Sequence, residues 1–426
     1  MGEVENHIKY DDEYLNTLIL KFTYERYLNK PETLYRIQNE YLQIRADIWG
    51  DIQSKRKSLG RVVPLKDQNG HYFWFMTPPF LNKVIHSIDV VAKKKLDELA
   101  TKDIQNKLVA ESIIDEAFYS SVIEGAFSTK KRTMELVKEK NPKNQSEKMI
   151  LNNYNGLVYI LENLHKELNE EVFIEIHKII TEGTLEEDEI TEKYRDDFVY
   201  VWGENAVKTE PIYTAPPHNE VQSMMNDLFR FINDENADLF IHPIIKACII
   251  HFYIAYVHPF FDGNGRVARA FSYMYLLKNN YEFFKFFSIS SVVDKKRKKY
   301  YKGIKDTEDF GSDLTYFIAA YAEITEASIY AVVDKLINEL SHEILLQTIE
   351  EDEIILNERQ KRFLNYMKKK DSNLTTLDQY KKRMNVSYET ARRDLTELAE
   401  LGIFGKIRKG KKFIFKYLGL KGYMKL

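Results

Sequence analysis

The densest chemistry in the chain lies in one run, His258-Pro259-Phe260-Phe261-Asp262-Gly263-Asn264-Gly265-Arg266-Val267-Ala268-Arg269. With an ordinary pKa of about 6.5, a histidine such as His258 takes a proton from a hydroxyl near neutral pH. Asp262 offers the hard oxygen that Mg²⁺ accepts when the ion also bridges phosphates. Gly263 and Gly265 flank Asn264 and let successive backbone N–H groups turn toward one point, where a following helix adds the positive end of its dipole. Arg266 and Arg269 are three apart, hence on one face of that helix, and guanidinium groups clamp phosphate oxygens in a planar fork. Singly, each feature has a plain structural explanation: a turn, a solvated face, a helix cap. Base, metal carboxylate, anion nest and paired cations in one short run describe a phosphate site with a base beside it.

The elements that must hold this run can be read around it. HPIIKACIIHFYIAYV, just upstream, is apolar on nearly every side, as a fully buried helix is. Its Cys248, the single cysteine of 426 residues, is expected in the core, and one cysteine rules out an internal disulfide framework. Up to about residue 100 the pattern is helical, interrupted by SLGRVVPLKDQNGHYFWFMTPPF, where Asn69-Gly70 predicts a small hairpin. A second hairpin is expected where β-branched and aromatic residues flank Gly203-Glu204-Asn205. Composition, 44% hydrophobic and 13% aromatic, supports several globular domains rather than disorder. The N-terminus lacks the basic start and apolar stretch of a secretory signal, and no run reaches the ~18 apolar residues that span a bilayer. A cytoplasmic protein without membrane contact is the expectation.

The His258–Arg269 run resembles the signature of the Fic family, His-Pro-Phe-x-Asp/Glu-Gly-Asn-Gly-Arg-x-x-Arg, at every defined position. The resemblance implies a protein adenylyltransferase. His258 would be the base, Asp262 would bind Mg²⁺ at the α- and β-phosphates, Gly263, Asn264 and Gly265 would form the anion hole, and Arg266 and Arg269 would hold the β- and γ-phosphates of ATP. A Ser, Thr or Tyr hydroxyl of a protein target, or of the chain itself, would attack the α-phosphate and release pyrophosphate. The related Doc-type kinases carry alanine in place of the first glycine and lysine in place of the second, so Gly263 and Gly265 favour nucleotidyl transfer over phosphoryl transfer.

Three flanking features extend the resemblance. ESIIDEAFYSSVIEGAF has helical spacing and stops at Gly125; Ser120 and Glu124, four apart, share a face. Ser-x-x-x-Glu-Gly resembles the inhibitory motif of Fic proteins, in which the glutamate pairs with the last motif arginine, here Arg269. A 100-fold restraint requires only about 2.7 kcal/mol. The stretch from Tyr194-Arg195 to Tyr213-Thr214-Ala215-Pro216-Pro217 looks like the Fic flap, an edge strand that would register a target by main-chain bonds, with Thr209, Tyr213 and Thr214 as its docking residues. Tyr300 and Tyr301 fall where family members line the adenine pocket, and they suit core packing about equally well.

From Ile355 to Leu426 there are 19 Lys and Arg against 7 Asp and Glu, near +12 in a chain of net charge -3. LNERQKRFLNYMKKK, TTLDQYKKRMNV, SYETARRDLTELAELGI and KIRKGKKFIFKYL read as three helices and a hairpin, the order of a winged helix. Ser387, Tyr388, Thr390, Arg392 and Arg393 are expected to face outward on its third helix, with Ala391, Leu395, Leu398 and Leu401 inward and Lys406 to Lys412 as the wing. The expected fold is therefore mainly α: a helical N-terminal region (1–100), a Fic core (101–330) with inhibitory helix (about 111–124) and β-hairpin flap (about 194–217), a connecting helix (331–354) and a winged helix-turn-helix (355–426). The winged helix has two readings, contact with DNA or with protein, and the family's habit of pairing through its core leaves a homodimer open. Alternatives of function also stay open: a DNA-binding regulator whose Fic core senses a nucleotide, a different nucleotide donor, or removal of AMP.

Overall fold

The computed structural model describes residues 10–99, 102–201, 213–234, 240–370, 372–409 and 412–424. Among the described residues helices dominate, and the strands form two two-stranded hairpins and one three-stranded sheet. The chain divides into two compact units, Met1–Tyr330 and Ala331–Leu426. Among the described residues no helix is long and apolar enough to cross a membrane.

The first unit is built around helix Pro243–Val257, whose residues are buried almost throughout, Cys248 among them. Burial pushes the Cys248 thiol well up, so it is an inert core group. Pro243 at the first turn and the His242 side chain, which accepts from the Ile244 N–H, start this helix. It packs along helix Asn264–Lys278 and against helix His218–Asn233, while helices Gln145–Glu162 and Glu170–Thr181 pack on Asn264–Lys278 in turn. The N-terminal helices do not stand apart from this core. Arg56 is 1% exposed and donates to the carbonyls of Leu28 and Phe22, to Thr23 and to the Tyr316 hydroxyl, while its guanidinium lies 4.1 Å from the Tyr27 ring centroid. So buried a cation is tolerable because each nitrogen finds an oxygen and an aromatic face covers the plane.

The Asn69-Gly70 hairpin forms as expected, with Arg61–Lys66 antiparallel to Tyr72–Phe75 and Gly70 at φ 80°. Asp67 caps the turn by accepting from the Asn69 and His71 N–H groups at 2.9 Å. The second hairpin retains its stem, Tyr200–Val201 paired with Tyr213–Thr214. Its expected turn at Gly203-Glu204-Asn205, and Thr209 with it, lie outside the described residues.

The second unit has helices Glu358–Lys369, Leu377–Met384 and Tyr388–Glu400, with strands Leu374–Thr376, Phe404–Lys409 and Lys412–Tyr417 in an antiparallel sheet whose centre is the last of them. Phe363, Tyr380, Ala391, Leu395, Leu398 and Phe415 form its core. At its centre Asp394, fully buried, accepts from Tyr380 at 2.9 Å, Arg359 at 3.0 Å and Asn357 at 3.2 Å. The result is a winged helix-turn-helix. Tyr388, Arg392 and Arg393 face outward as expected. Ser387 is exposed as expected and Thr390 is half-buried; Ser387 Oγ caps the helix on the Thr390 N–H and also bonds the Thr390 hydroxyl.

Candidate active site

Helix Pro243–Val257 stops at His258, whose backbone adopts the left-handed region, φ 52° and ψ 58°. That conformation is uncommon for a residue with a side chain, and the surroundings must hold it. Arg195 does much of this. It is 2% exposed, donates from Nε to the His258 carbonyl at 2.8 Å, and reaches the Val257 and Pro216 carbonyls from Nη2. Its own N–H donates to the Pro259 carbonyl at 2.9 Å. The sequence named this arginine beside the flap without assigning it a task; nothing in its local pattern shows that it will straddle a helix end 63 residues away.

The His258 ring is half-buried. Its Nδ1 lies 3.2 Å from the Ala255 carbonyl, which can only accept, so Nδ1 carries the proton and Nε2 is left bare. Burial moves its pKa below the ordinary value, against the pull of that carbonyl and of Glu124 and Asp262. A neutral imidazole with a bare Nε2 is the form a general base needs.

Past Pro259 the loop is fastened from beneath. The Phe260 ring stacks on His177 at 3.5 Å with 5° between planes, and on Phe173 at 5.4 Å. His177 Nε2 donates to the Asp262 carbonyl at 3.0 Å, and burial lowers its pKa to about 4, so it stays neutral. Asn264 bonds Phe260 twice, accepting from its N–H at 2.9 Å and donating to its carbonyl at 2.7 Å. This refines the expectation for Asn264: its side chain braces the loop, and only its backbone is available to an anion. Gly263 sits at φ 86° with a Cβ position 2.7 Å from Thr181, so only glycine fits.

The two motif arginines part company. Arg266 is fully buried; it donates to Asp262 Oδ2 at 2.7 Å and to the Ile180 carbonyl at 3.2 Å, and its Nε has no protein partner. The expectation that both arginines clamp phosphate from one face is corrected for Arg266, whose fork points into the protein and braces Asp262. Arg269, 4% exposed, donates from Nε to Ser120 Oγ at 2.8 Å, and from Nη2 to the Ser120 carbonyl at 2.9 Å and to Glu124 Oε1 at 2.7 Å. Burial disfavours its charge, and the Glu124 carboxylate more than offsets this, so its pKa rises.

Ser120 lies in the last turn of helix Lys102–Ile123, and Glu124 follows its end, where Gly125 turns the chain at φ 92°. The Glu124 carboxylate rests against the start of helix Asn264–Lys278 so closely that a Cβ on Gly265 would collide with it. A carboxylate therefore already occupies the positive end of the motif helix.

Asp262 is half-exposed, with one oxygen held by Arg266. Among the described residues no group of three or more His, Cys, Asp or Glu is placed to hold a metal. A lone carboxylate suits Mg²⁺, which keeps several waters and takes much of its shell from bound phosphates.

Tyr300 is a correction. It is 3% exposed, its hydroxyl bonds His251 at 2.8 Å, and its ring packs with Phe317 and Tyr321, so it offers no face to a purine. Tyr301, 47% exposed, retains that option. In the flap stem the Tyr213 hydroxyl donates to the Tyr256 carbonyl, which fixes it to the central helix, and Thr214 is exposed.

Residues 167–276 match the Fic/DOC family model, and residues 359–416 match that of the DeoR-like helix-turn-helix domain. A protein adenylyltransferase Fic of Aedes aegypti is 27% identical over 155 residues, covering 36% of this chain and 27% of that protein. Its namesake in Drosophila melanogaster is 26% identical over 138 residues, covering 32% and 24%. The chain thus matches about a quarter of the length of these curated relatives. In fold it is similar to the Fic-1 protein of C. elegans, with a TM-score of 0.51 at 18% identity over 77% of this chain and 86% of that one. With the His258–Arg269 loop inside the matched span, the chain carries a Fic domain of the Fic/DOC family, followed by a DeoR-like helix-turn-helix domain.

Proposed function

We propose that the chain is an autoinhibited protein adenylyltransferase, which moves AMP from ATP to a Ser, Thr or Tyr hydroxyl of a protein target or of itself. The observation that carries this reading is the Glu124 carboxylate seated on Arg269 and against the start of the motif helix, beside a histidine with a bare Nε2. An anion site filled by an internal anion is an anion site held in check.

With Glu124 withdrawn, Arg269 and the N–H groups from Gly263 onward take phosphate oxygens. Mg²⁺ bound at Asp262 would supply charge neutralisation at the α- and β-phosphates. His258 Nε2 accepts the proton of the attacking hydroxyl, the new bond forms from that oxygen to the α-phosphorus, and the bond to the β-phosphate oxygen breaks as pyrophosphate leaves. Arg195 keeps the histidine aimed, and the flap stem at Tyr213–Thr214 lies ready to register the target strand. A base contributes about 10²- to 10⁴-fold, and fixed dipoles and cations supply much of the remainder.

The test is a Glu124→Gly chain given Mg²⁺ and ATP labelled at the α-phosphate, beside a Glu124→Gly/His258→Ala control. Label on protein that disappears in the control is the expected result; label in neither overturns adenylyl transfer from ATP.

A second role belongs to the other unit. The outward Tyr388, Arg392 and Arg393, together with the +12 charge from Ile355 onward, support DNA contact by helix Tyr388–Glu400. Binding of duplex DNA that weakens steeply with salt is expected, and salt-independent binding, or none, overturns it.

A further inference from the structure

Helix Lys102–Ile123 carries a polar row at four-residue spacing, Ser112, Glu116 and Ser120, which Glu124 continues past the helix end. Residues four apart lie one above the other, so the row is a single edge. All four members are bonded to other elements. Ser112 Oγ donates to the Lys285 carbonyl. Glu116 Oε2 accepts from Ser288 Oγ at 2.7 Å and from the Ser290 N–H at 3.0 Å, and its Oε1 accepts from Ser290 Oγ. Ser120 and Glu124 hold Arg269. Just before Glu124, the Val122 carbonyl accepts from Arg297 at 3.1 Å.

Glu116 is the carboxylate of this row that does not touch the motif. Its acceptors meet the first N–H of helix Ser290–Lys295 and two hydroxyls on residues 6% and 0% exposed, so water competes little for those donors. Hydrogen bonds to a carboxylate are about twice as strong as neutral ones. They also define register: a helix shifted by one residue along this edge loses all three at once. Register is what the Glu124 seat demands, because the carboxylate lies where even a Cβ on Gly265 would collide with it.

We propose that Glu116 is the positioning residue of the brake, anchoring helix Lys102–Ile123 on Ser288 and Ser290 in the one register at which Glu124 reaches Arg269. The proposal rests on the inhibitory reading of Glu124. It assigns the restraint to two carboxylates, one that blocks and one that aims.

The experiment compares the full chain with its Glu116→Gln, Glu124→Gly and doubly substituted forms. Glutamine keeps the volume but gives up the charge and turns an N–H₂ toward donors. Amide hydrogen exchange across residues 112–123 is expected to accelerate about tenfold in Glu116→Gln, a loss typical of charge-assisted bonds. Transfer of label from ATP is expected to rise about tenfold when Glu124 is present, and to change less than about twofold when it is glycine. Unchanged exchange, or the same change in labelling in both backgrounds, overturns the anchor. Should neither Glu124→Gly chain take label, the transfer reading falls, and hydrogen exchange alone still decides whether Glu116 holds the helix.

Discussion

Two pairs of arginines put the same side chain to opposite uses. Arg266 and Arg269 on the motif helix are 0% and 4% exposed, and each is committed to named oxygens: Asp262 and Ile180 for one, Ser120 and Glu124 for the other. Arg392 and Arg393 on helix Tyr388–Glu400 stand exposed, and Arg393 has a loose partner in Glu397 at 3.9 Å. In the first pair the charge is expensive to bury, so its position is set by geometry and a missing partner is felt strongly. In the second it is solvated and contributes to a field that phosphates sense within a Debye length. Buried arginines are fixed by their partners; exposed ones set the charge of a surface.

The largest effect that would sharpen this contrast lies beside the buried pair. His258→Ala, in the Glu124→Gly background, is expected to reduce labelling from α-phosphate-labelled ATP about 10²- to 10⁴-fold. Because burial lowers the pKa of His258, the acid limb of the pH–rate profile should fall below pH 6.5, the base being neutral above it. An acid limb above neutrality would assign the proton to another group.

Next comes pH and folding. His177 has its pKa lowered to about 4 by burial, whereas the unfolded chain binds that proton near the ordinary 6.5. Above 6.5 the two states are alike; between 6.5 and about 4 the unfolded state takes up the proton first, so stability falls as pH falls, by about 3 kcal/mol at most. Denaturant titrations of the wild type and a His177→Gln chain across this window should show the loss in the former and a flatter profile in the latter.

A smaller change is expected from Glu124→Gly itself, a gain in labelling of about 10- to 100-fold, equivalent to about 1.4 to 2.7 kcal/mol. Equal labelling with and without Glu124 would erase the distinction between an arginine held in check and one merely buried. Smallest is the exposed pair. Arg393→Ala should lower the slope of log affinity for duplex DNA against log salt by about one unit and leave labelling unchanged; a loss of labelling would break the comparison from the other side.

How much of this could be read beforehand differs by residue. The His258–Arg269 run was legible because its chemistry is packed into consecutive positions, and the Ser120–Glu124 pair because four-residue spacing on a helix is local. The Asn69-Gly70 hairpin and helix Tyr388–Glu400 followed from turn chemistry and periodicity. Arg195 and His177 were not legible as supports of the loop, since each acts across 63 and 85 residues of chain on backbone carbonyls that have no sequence signature. Arg266 and Tyr300 were assigned to the nucleotide on spacing and on family place, and the structure turns both inward, toward Asp262 and Ile180 in one case and His251 in the other.

The sequence by itself determined the chemical inventory, the helical periods, the glycines where the chain must turn and the basic balance of the last 72 residues, because all of these are properties of neighbours along the chain. Tertiary structure alone decided which arginine meets Asp262 and which meets Glu124, which nitrogen of His258 is bare, and that Glu124 comes to rest against Gly265. Those are decided by where distant backbone oxygens and carboxylates fall once the core closes, and a buried polar group takes whichever partner that closure brings within reach.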